Sequence, residues 1–600
     1  MMNHSEIIEN PQINPRVLME LYLNQEYDQL SEIFLQVWEH FQNKTYYVLD
    51  LSSRYFINVF VKNFLYLFTQ PDYILSDRHV NRFIKQNLTI SNLVAISSFK
   101  TTDAYLQILN DQPRNFAKLL TLYSARNTVK FDRKALFDAN YQLACLWYSC
   151  FCESYRSGVI NKQTRENLRE HITYKDERLS DFHNIDDIYF GASYIDGDRD
   201  REIKQKINQS IQNSPFATTA QIHNHPHPKK IAVITSLWFS QHSVYRILSE
   251  FVESLKDDYE LTLVHLGDIR NNIDIGFFKE IKYVYVKDGY LNIEAIRENN
   301  FTAVFYPDIG MTVESIFLCN LRLAPIQICG LGHSVSTFGS EIDYYISGAD
   351  VEIPEGAEAN YSERLVLLPG FGAIHNKPNY QIRNIQKKRP EIIINCPWYA
   401  QKVNYNLVSS LKEIAAKSQK NIIFRFFSGG ALTRKNDFLT FAIDLEAILH
   451  KDCFELIPAK PYNEYMALME EGDICIEAYH FGGCNTVADS LYLRQPTVTF
   501  EGDKWYSRIG SQMLRSVGLS ELIAQTSEEY ISLILNLIHD DDYRLKIREK
   551  LHHVDLNTTI FSSESKIYFK KAFDFLIDNH EQLKNENSKL PIRIPSTGKE

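Results

Sequence analysis

Apolar residues in the first third of the chain recur about every three to four positions, the period of one face of an α-helix. The run over 18–37 shows this spacing, and Pro15 stands where proline is favoured, in the first turn of a helix. We find no repeat of helix pairs that would mark a superhelical array. Further helices are predicted at 46–68, 77–90, 102–109, 115–126 and 133–155. The pattern predicts a non-repeating all-α domain over residues 1–213.

The composition changes between residues 213 and 229, where prolines interrupt the chain. His223, His225 and His227 alternate in this stretch. Alternating histidines can bind a metal ion, but no carboxylate accompanies them in the stretch, so we favour a solvated linker over a metal site. A domain boundary is predicted here.

Beyond this boundary, short β-rich runs alternate with helical segments, which predicts parallel βαβ units and a doubly wound sheet. The fold class is therefore α/β, with two Rossmann-like domains at 214–385 and 386–584, the second including the C-terminal helices. Ligands of such domains bind beyond the carboxyl ends of the strands. We expect residues 585–600 to form a disordered tail. The predicted strands are 231–235, 261–266, 283–286, 303–306, 326–329 and 343–346, then 391–395, 422–427, 454–457, 473–476 and 497–500.

Composition and charge exclude several classes of protein. The 600 residues are 44% hydrophobic and carry a formal net charge of −11, which argues against a nucleic-acid protein dominated by phosphate contacts. The first residues lack the features of a signal peptide, and no apolar run is long enough to span a bilayer. We therefore expect a cytoplasmic protein without membrane insertion. The nine cysteines are scattered, and we interpret them as buried thiols rather than metal ligands.

Candidate chemistry concentrates in residues 479–489, between a strand-like and a helix-like run. A strand, a glycine turn and a helix start form an anion site, because unpaired helix amides point at whatever lies above the turn. Asn485 and Thr486 are candidate donors to phosphate, and Asp489 is a candidate acceptor for ribose hydroxyls. The alternative is a structural helix cap with Asp489 at the favourable end of the helix dipole.

Three further residues follow strands of the predicted sheets. His242 can deprotonate a hydroxyl or position an acceptor. The alternative is that His242 caps the next helix. Arg246, nearby in the sequence, is expected to serve packing. His333 lies at the tip of a glycine turn and is a second acceptor-side candidate. Lys402 can neutralise charge on a leaving diphosphate, and the alternative is a solvated surface lysine.

These stretches, in this order, resemble glycosyltransferase family 41, with greater likeness to the cytoplasmic bacterial enzymes that glycosylate high-molecular-weight adhesins. Residues 518–519, 521–524 and 529–530 also resemble the O-linked N-acetylglucosamine transferase branch. The resemblance covers about residues 230–535. It rests on 239–246, 305–306, 309–311, 322–327, 331–333, 361–363, Lys402, Asn404, 481–482, Asn485 and Asp489.

The resemblance implies a GT-B fold preceded by an all-α domain, and an inverting transfer from a UDP-sugar with neither metal nor cofactor. It implies a polypeptide acceptor such as an adhesin, with glucose placed on asparagine in Asn-x-Ser/Thr. By motif match, Lys402 and Asn485 contact the diphosphate and Asp489 the nucleoside, while His242 and His333 face the acceptor.

Three departures from the family pattern keep alternatives open. Asn463 stands where the adhesin branch has a histidine, Cys484 replaces a small hydroxyl residue, and 334–336 lack the usual proline-containing turn. O-linked transfer of glucose or N-acetylglucosamine to Ser/Thr is one alternative. A non-catalytic GT-B accessory protein is the other.

Overall fold

The computed structural model describes residues 13–110, 113–179, 182–268, 272–385, 389–429 and 432–596. Contacts between Cα atoms divide the chain into two compact units. The first comprises Met1–Asp200, Tyr399–Lys412 and Phe426–Ala459. The second comprises Arg201–Trp398, Glu413–Arg425 and Lys460–Glu600.

The first unit is mainly helical, which confirms the predicted all-α region. Its core includes edge-to-face aromatic contacts such as Trp38 on Phe64, with ring centroids 4.8 Å apart. The predicted helix 77–90 is in fact two helices that meet at Gln86. The helices are α1 (Pro15–Leu23), α2 (Tyr27–Asn43), α3 (Leu51–Phe68), α4 (Asp77–Lys85), α5 (Asn87–Ile96), α6 (Asp103–Leu109), α7 (Phe116–Leu122), α8 (Arg133–Ala139), α9 (Tyr141–Cys152), α10 (Lys162–Ile172) and α11 (Ile185–Ile195).

Buried polar contacts join residues 432–446 to these helices. Asn92 Nδ2 donates to Asp437 Oδ1 over 3.0 Å, and Lys435 forms an ion pair with the buried Glu153. The first unit therefore includes chain segments that the sequence pattern assigned to the second Rossmann-like domain.

The second unit contains a sheet of nine strands in the order β15-β8-β7-β6-β5-β1-β2-β3-β4. Every pairing is parallel except that of β3 with β4, which confirms the predicted doubly wound sheet. The strands are β1 (His223–Thr235), β2 (Glu260–Leu266), β3 (Glu280–Lys287), β4 (Tyr290–Asn292), β5 (Glu298–Tyr306), β6 (Ile326–Cys329), β7 (Tyr344–Gly348), β8 (Arg364–Leu368) and β15 (Ile592–Arg593). The associated helices are α12 (Asp200–Gln212), α13 (Pro215–Thr219), α14 (Ser243–Glu253), α15 (Glu294–Arg297) and α16 (Val313–Leu318).

A second sheet has the order β10-β9-β12-β13-β14, and the pairings of β12 with β9, of β12 with β13 and of β13 with β14 are parallel. Strand β11 (Phe454–Ile457) belongs to the first unit. The strands are β9 (Ile392–Cys396), β10 (Ile422–Phe427), β12 (Ile474–Ile476), β13 (Thr497–Phe500) and β14 (Ile523–Ala524). The remaining helices are α17 (Tyr405–Lys417), α18 (Asp437–Glu446), α19 (Tyr462–Glu470), α20 (Asn485–Tyr492), α21 (Trp505–Ser516), α22 (Ser527–His539), α23 (Asp541–His552) and α24 (Lys566–Glu586).

One expectation differs from the structure at the predicted domain boundary near residue 213. The histidine stretch expected to be a linker is the start of β1, with His223 opposite Glu298 of β5. Within the described residues, no group of three or more His, Cys, Asp or Glu side chains is placed to hold a metal ion.

The C-terminal segment is more ordered than expected. β15, within the tail expected to be disordered, pairs with β8, and Ile592 and Ile594 are buried there. Burial of these two side chains and the hydrogen bonds at the edge of β8 offset the polar composition of the segment. Residues 597–600 lie outside the described residues.

Helix α24 was expected in the second Rossmann-like domain, but it packs on the first sheet. Phe569 stacks on Phe251 with centroids 4.8 Å apart and contacts Phe305 edge to face. Among the helices of the described ranges, none combines the length and apolar character that a bilayer crossing requires.

Candidate functional site

The turn between β12 and α20 folds around a buried carboxylate, Glu477. Its Oε1 accepts a hydrogen bond from Gly483 N over 2.8 Å, and its Oε2 accepts one from Phe500 N over 3.1 Å. A Cβ atom added to Gly482 would lie 2.5 Å from Glu477 Oε1, so only glycine fits beside the carboxylate. Glu477 was not among the predicted site residues. Its only sequence signal is an acid placed directly after a buried strand and before two glycines.

Helix α20 begins at Asn485, one of the predicted phosphate ligands. Asn485 Nδ2 donates to Ser243 O over 3.1 Å, which places it beside the His242 loop. Asn485 Oδ1 is buried and has no hydrogen-bond partner among the described residues. Thr486, the second predicted ligand, lies over Gly483, since a Cβ there would meet Thr486 Oγ1 at 2.5 Å. The turn thus places both predicted phosphate ligands at the start of the helix.

Asp489, the predicted ribose acceptor, is buried and already holds two donors. Arg246 Nη2 donates to its Oδ1 over 2.6 Å, and Tyr462 OH donates to the same oxygen over 2.7 Å. Burial disfavours the charged guanidinium, yet the neighbouring Asp489 carboxylate raises the pKa of Arg246 above its usual value. Arg246 therefore does more than the packing expected from the sequence.

His242 caps the helix that follows it. Its Nδ1 accepts a hydrogen bond from Val244 N over 3.2 Å, and its ring contacts Phe239. The capping alternative is therefore observed, while the predicted role toward an acceptor stays a prediction.

His333 lies next to the turn before α20, where its ring is nearly parallel to that of Phe481 with centroids 6.3 Å apart. Gly332 allows the approach, because a Cβ there would lie 2.5 Å from Pro307 O. Burial, and then the positive charge of Lys204, lower the pKa of His333 well below its usual value. The imidazole is therefore neutral at pH 7.

His375, which the sequence pattern did not indicate, contacts the turn through Cys484. His375 Nε2 lies 3.1 Å from Cys484 Sγ. Burial, and then the charge of Arg246, lower the pKa of His375 to about 3. A neutral imidazole beside the thiol follows.

Lys402 lies in the first unit, in the 3-10 helix Ala400–Lys402, and is half-buried. Its backbone N donates to Tyr399 O over 2.9 Å. The other predicted site residues, His242, His333, Asn485, Thr486 and Asp489, all lie in the second unit. The diphosphate contact predicted for Lys402 stays a prediction.

Comparison with known proteins finds similarity to glycosyltransferases. A family model described as "Glycosyl transferase family 41" matches residues 458–571, which include the turn and α20. Over these residues the chain is similar to glycosyltransferase family 41. It is 25% identical over 565 residues to a protein of Actinobacillus pleuropneumoniae serotype 5b (strain L20) named UDP-glucose:protein N-beta-glucosyltransferase, a match covering 86% of this chain and 88% of that protein.

Other proteins are similar to part of the chain or share its fold. A Hordeum vulgare protein named probable UDP-N-acetylglucosamine–peptide N-acetylglucosaminyltransferase SPINDLY is 22% identical over 279 residues, covering 41% of this chain and 26% of that protein. A mutant of the O-GlcNAc transferase of Thermobaculum terrenum superposes with a TM-score of 0.56 and 17% identity, covering 86% of this chain and all of that one. The fold of this chain is GT-B.

Proposed function

We propose that the chain transfers glucose from UDP-glucose to asparagine side chains of a polypeptide, with inversion and without a metal ion. The observation that carries the proposal is the match to the A. pleuropneumoniae UDP-glucose:protein N-beta-glucosyltransferase, which extends over 86% of this chain and 88% of that protein. A match of this extent is longer than any one of the predicted domains.

The second unit supports the proposal through the residues that it brings together. The amides at the start of α20, with Asn485 and Thr486, suit a diphosphate, and Asp489 suits the nucleoside. His333 lies beside the same turn, and His242 precedes the Ser243 carbonyl that Asn485 contacts. We propose that these two histidines orient the acceptor and that Lys402 stabilises the leaving diphosphate.

The test is transfer from UDP-glucose to a peptide containing Asn-x-Thr, followed by mass spectrometry that locates the hexose. We expect Lys402→Ala to lower kcat on the order of 100-fold, as loss of one charge-stabilising donor does elsewhere. Lys417→Ala, which changes a lysine side chain that is 58% exposed, is the matched control. Absence of transfer by the wild type, or full activity of Lys402→Ala, would contradict the proposal. Loss of transfer in EDTA with recovery in Mg²⁺ would contradict metal independence.

O-linked transfer is the second candidate, and the likeness to SPINDLY and to the T. terrenum O-GlcNAc transferase favours it. UDP-N-acetylglucosamine and a peptide with serine and threonine but no asparagine decide between the two. A hexose or N-acetylhexosamine found only on Ser/Thr would replace the first proposal.

A non-catalytic accessory protein is the third candidate, and the thiol of Cys484 in the turn motivates it. Calorimetry with UDP tests it, since an accessory protein without a donor site would bind no nucleotide. An adhesin acceptor and a cytoplasmic location accompany the proposed activity as further proposals.

A further inference from the structure

We infer that Arg246 is a positioning residue for the nucleoside, acting through Asp489 to set the preference of the chain for ribose over deoxyribose nucleotides. This inference rests on the proposed function, because it requires a UDP-sugar donor. It concerns a residue that the sequence pattern assigned to packing.

The first support is the geometry of the ion pair. Arg246 donates to Asp489 Oδ1 over 2.6 Å, and only 12% and 2% of the two side chains are exposed. The guanidinium also lies 5.0 Å from the centroid of the Tyr462 ring, and the Tyr462 hydroxyl donates to Asp489. Two donors and an aromatic face therefore fix the orientation of the carboxylate.

The second support is the unequal use of the two carboxylate oxygens. Among the described residues, Oδ1 accepts both short hydrogen bonds, whereas Oδ2 accepts only a long one, 3.4 Å from Arg246 Nη1. An ionised carboxylate has about four acceptor sites, so Oδ2 keeps the capacity to accept from a ribose hydroxyl. Arg246 thus orients Asp489 so that one oxygen is left for the ligand.

The third support is the framework that holds Arg246 itself. Asn376 N donates to Arg246 O over 2.8 Å, and Asn485 Nδ2 donates to Ser243 O near the start of the same helix. The Asn485–Ser243 hydrogen bond and the Arg246–Asp489 ion pair join helix α14 to helix α20, and Asn376 holds the backbone of Arg246 from a third segment. A fixed guanidinium is what a positioning role requires.

The test compares the binding of UDP, 2′-deoxy-UDP and 3′-deoxy-UDP by calorimetry in the wild type, Arg246→Met and Arg246→Lys. We expect the wild type to bind UDP about tenfold or more tightly than at least one deoxy analogue, as expected for a hydrogen bond to a charged group. In Arg246→Met the ratio of the deoxy-analogue Kd to the UDP Kd should fall to about one. Arg246→Lys should restore part of this ratio, because an ammonium supplies charge without the planar fork of a guanidinium. A role confined to stability would change the melting temperature but not this ratio.

Two further variants protect the test against misfolding. Arg246→Met combined with Asp489→Asn removes the unpaired buried charge, and its ratio should also be about one. Arg364→Met is the matched control, since it removes another arginine, 14% exposed and paired with Glu586, from the same unit. Its ratio should equal that of the wild type.

Different results would contradict different statements. If the wild type binds no UDP, the proposed function fails and the inference fails with it. If the wild type prefers UDP and Arg246→Met keeps the same preference, the inference alone is overturned. A wild type that binds UDP and both deoxy analogues equally would also overturn the inference.

Discussion

Replacement of Glu477 tests whether a buried carboxylate folds the turn before α20. The side chain is 3% exposed, and its two oxygens accept from the backbone N–H groups of Gly483 and Phe500. Glu477→Ala removes both of these acceptors. Glu477→Gln keeps the shape but turns one accepting oxygen into an NH₂ group, which cannot accept.

The magnitude follows from the number of donors that lose their acceptor. A buried donor left without a partner costs about 1–3 kcal/mol, so we expect Glu477→Ala to lose about 2–6 kcal/mol and Glu477→Gln about half as much. Total stabilities of roughly 5–15 kcal/mol make such a loss easy to detect. UDP binding should weaken as well, because the first amides of α20 lose their fixed position.

The assay is hydrogen exchange of the peptide that contains Gly483, combined with thermal unfolding. Glu521→Gln is the control, since Glu521 pairs with Lys550 at the surface and such a change is worth less than about 1 kcal/mol. Exchange of the Gly483 amide at the wild-type rate in Glu477→Ala, with unchanged UDP affinity, would refute the reasoning.

Three further predictions concern the glycine turn, a buried acid and a buried ion pair. Gly482→Ala should lower the free energy of unfolding by about 1–3 kcal/mol, because its Cβ would meet Glu477 and the Tyr506 backbone. Gly483→Ala should lower it less, since the nearest atom belongs to the side chain of Thr486. Equal shifts of the melting temperature in the two variants would contradict this. Burial raises the pKa of Asp308 from 3.8 to about 6, so its stabilising contribution is complete below about pH 4 and is lost as pH rises through about 6. Asp308→Asn should lack this pH dependence of the free energy of unfolding, which amounts to up to about 3 kcal/mol in the wild type. Parallel curves of stability against pH for both proteins between pH 4 and 6 would contradict the prediction. Lys435→Met should destabilise the first unit by about 3–5 kcal/mol, because Glu153 is left buried without its ion-pair partner. Adding Glu153→Gln should restore part of the lost stability. An unchanged unfolding midpoint of Lys435→Met would contradict this.

Most strands of the two sheets were predicted, because they are short apolar runs bounded by polar or glycine residues. Strand β8 (Arg364–Leu368) has the same apolar character but was not predicted. β2 was predicted at 261–266 and spans Glu260–Leu266, and β10 was predicted with the bounds that it has. Parallel strands that are buried on both faces leave this continuous apolar signal. Strands β4, β14 and β15 have two or three residues each, too few for a pattern to emerge.

The division of the chain into units could not be predicted, since it depends on contacts between distant segments. Asn92 and Asp437 are 345 positions apart, and neither residue signals the other in the sequence. A buried amide that donates to a buried carboxylate becomes visible only when both helices are placed. Propensity and periodicity describe neighbours along the chain and contain no such information.

The candidate site shows the same limit, with a clear physical cause. Glycine turns and helix starts are local, so Asn485, Thr486 and Asp489 could be selected from their order along the chain. Their partners are not local: Arg246 reaches Asp489 across 243 positions, and His375 reaches Cys484 across 109. Sequence alone therefore indicates where a ligand binds better than it indicates what holds the binding residues in place.

The contact between His375 and Cys484 shows how a cysteine is accommodated in the turn before α20. Cys484 occupies the N-cap position of α20, yet its side chain does not cap the helix and instead lies 3.1 Å from His375 Nε2. Burial keeps that imidazole neutral, so it can accept a weak hydrogen bond from the thiol. Because the cysteine is directed toward His375, its side chain does not take up the first amides of α20. An anion site formed by a helix start requires that those amides remain for the ligand, and this arrangement meets the requirement.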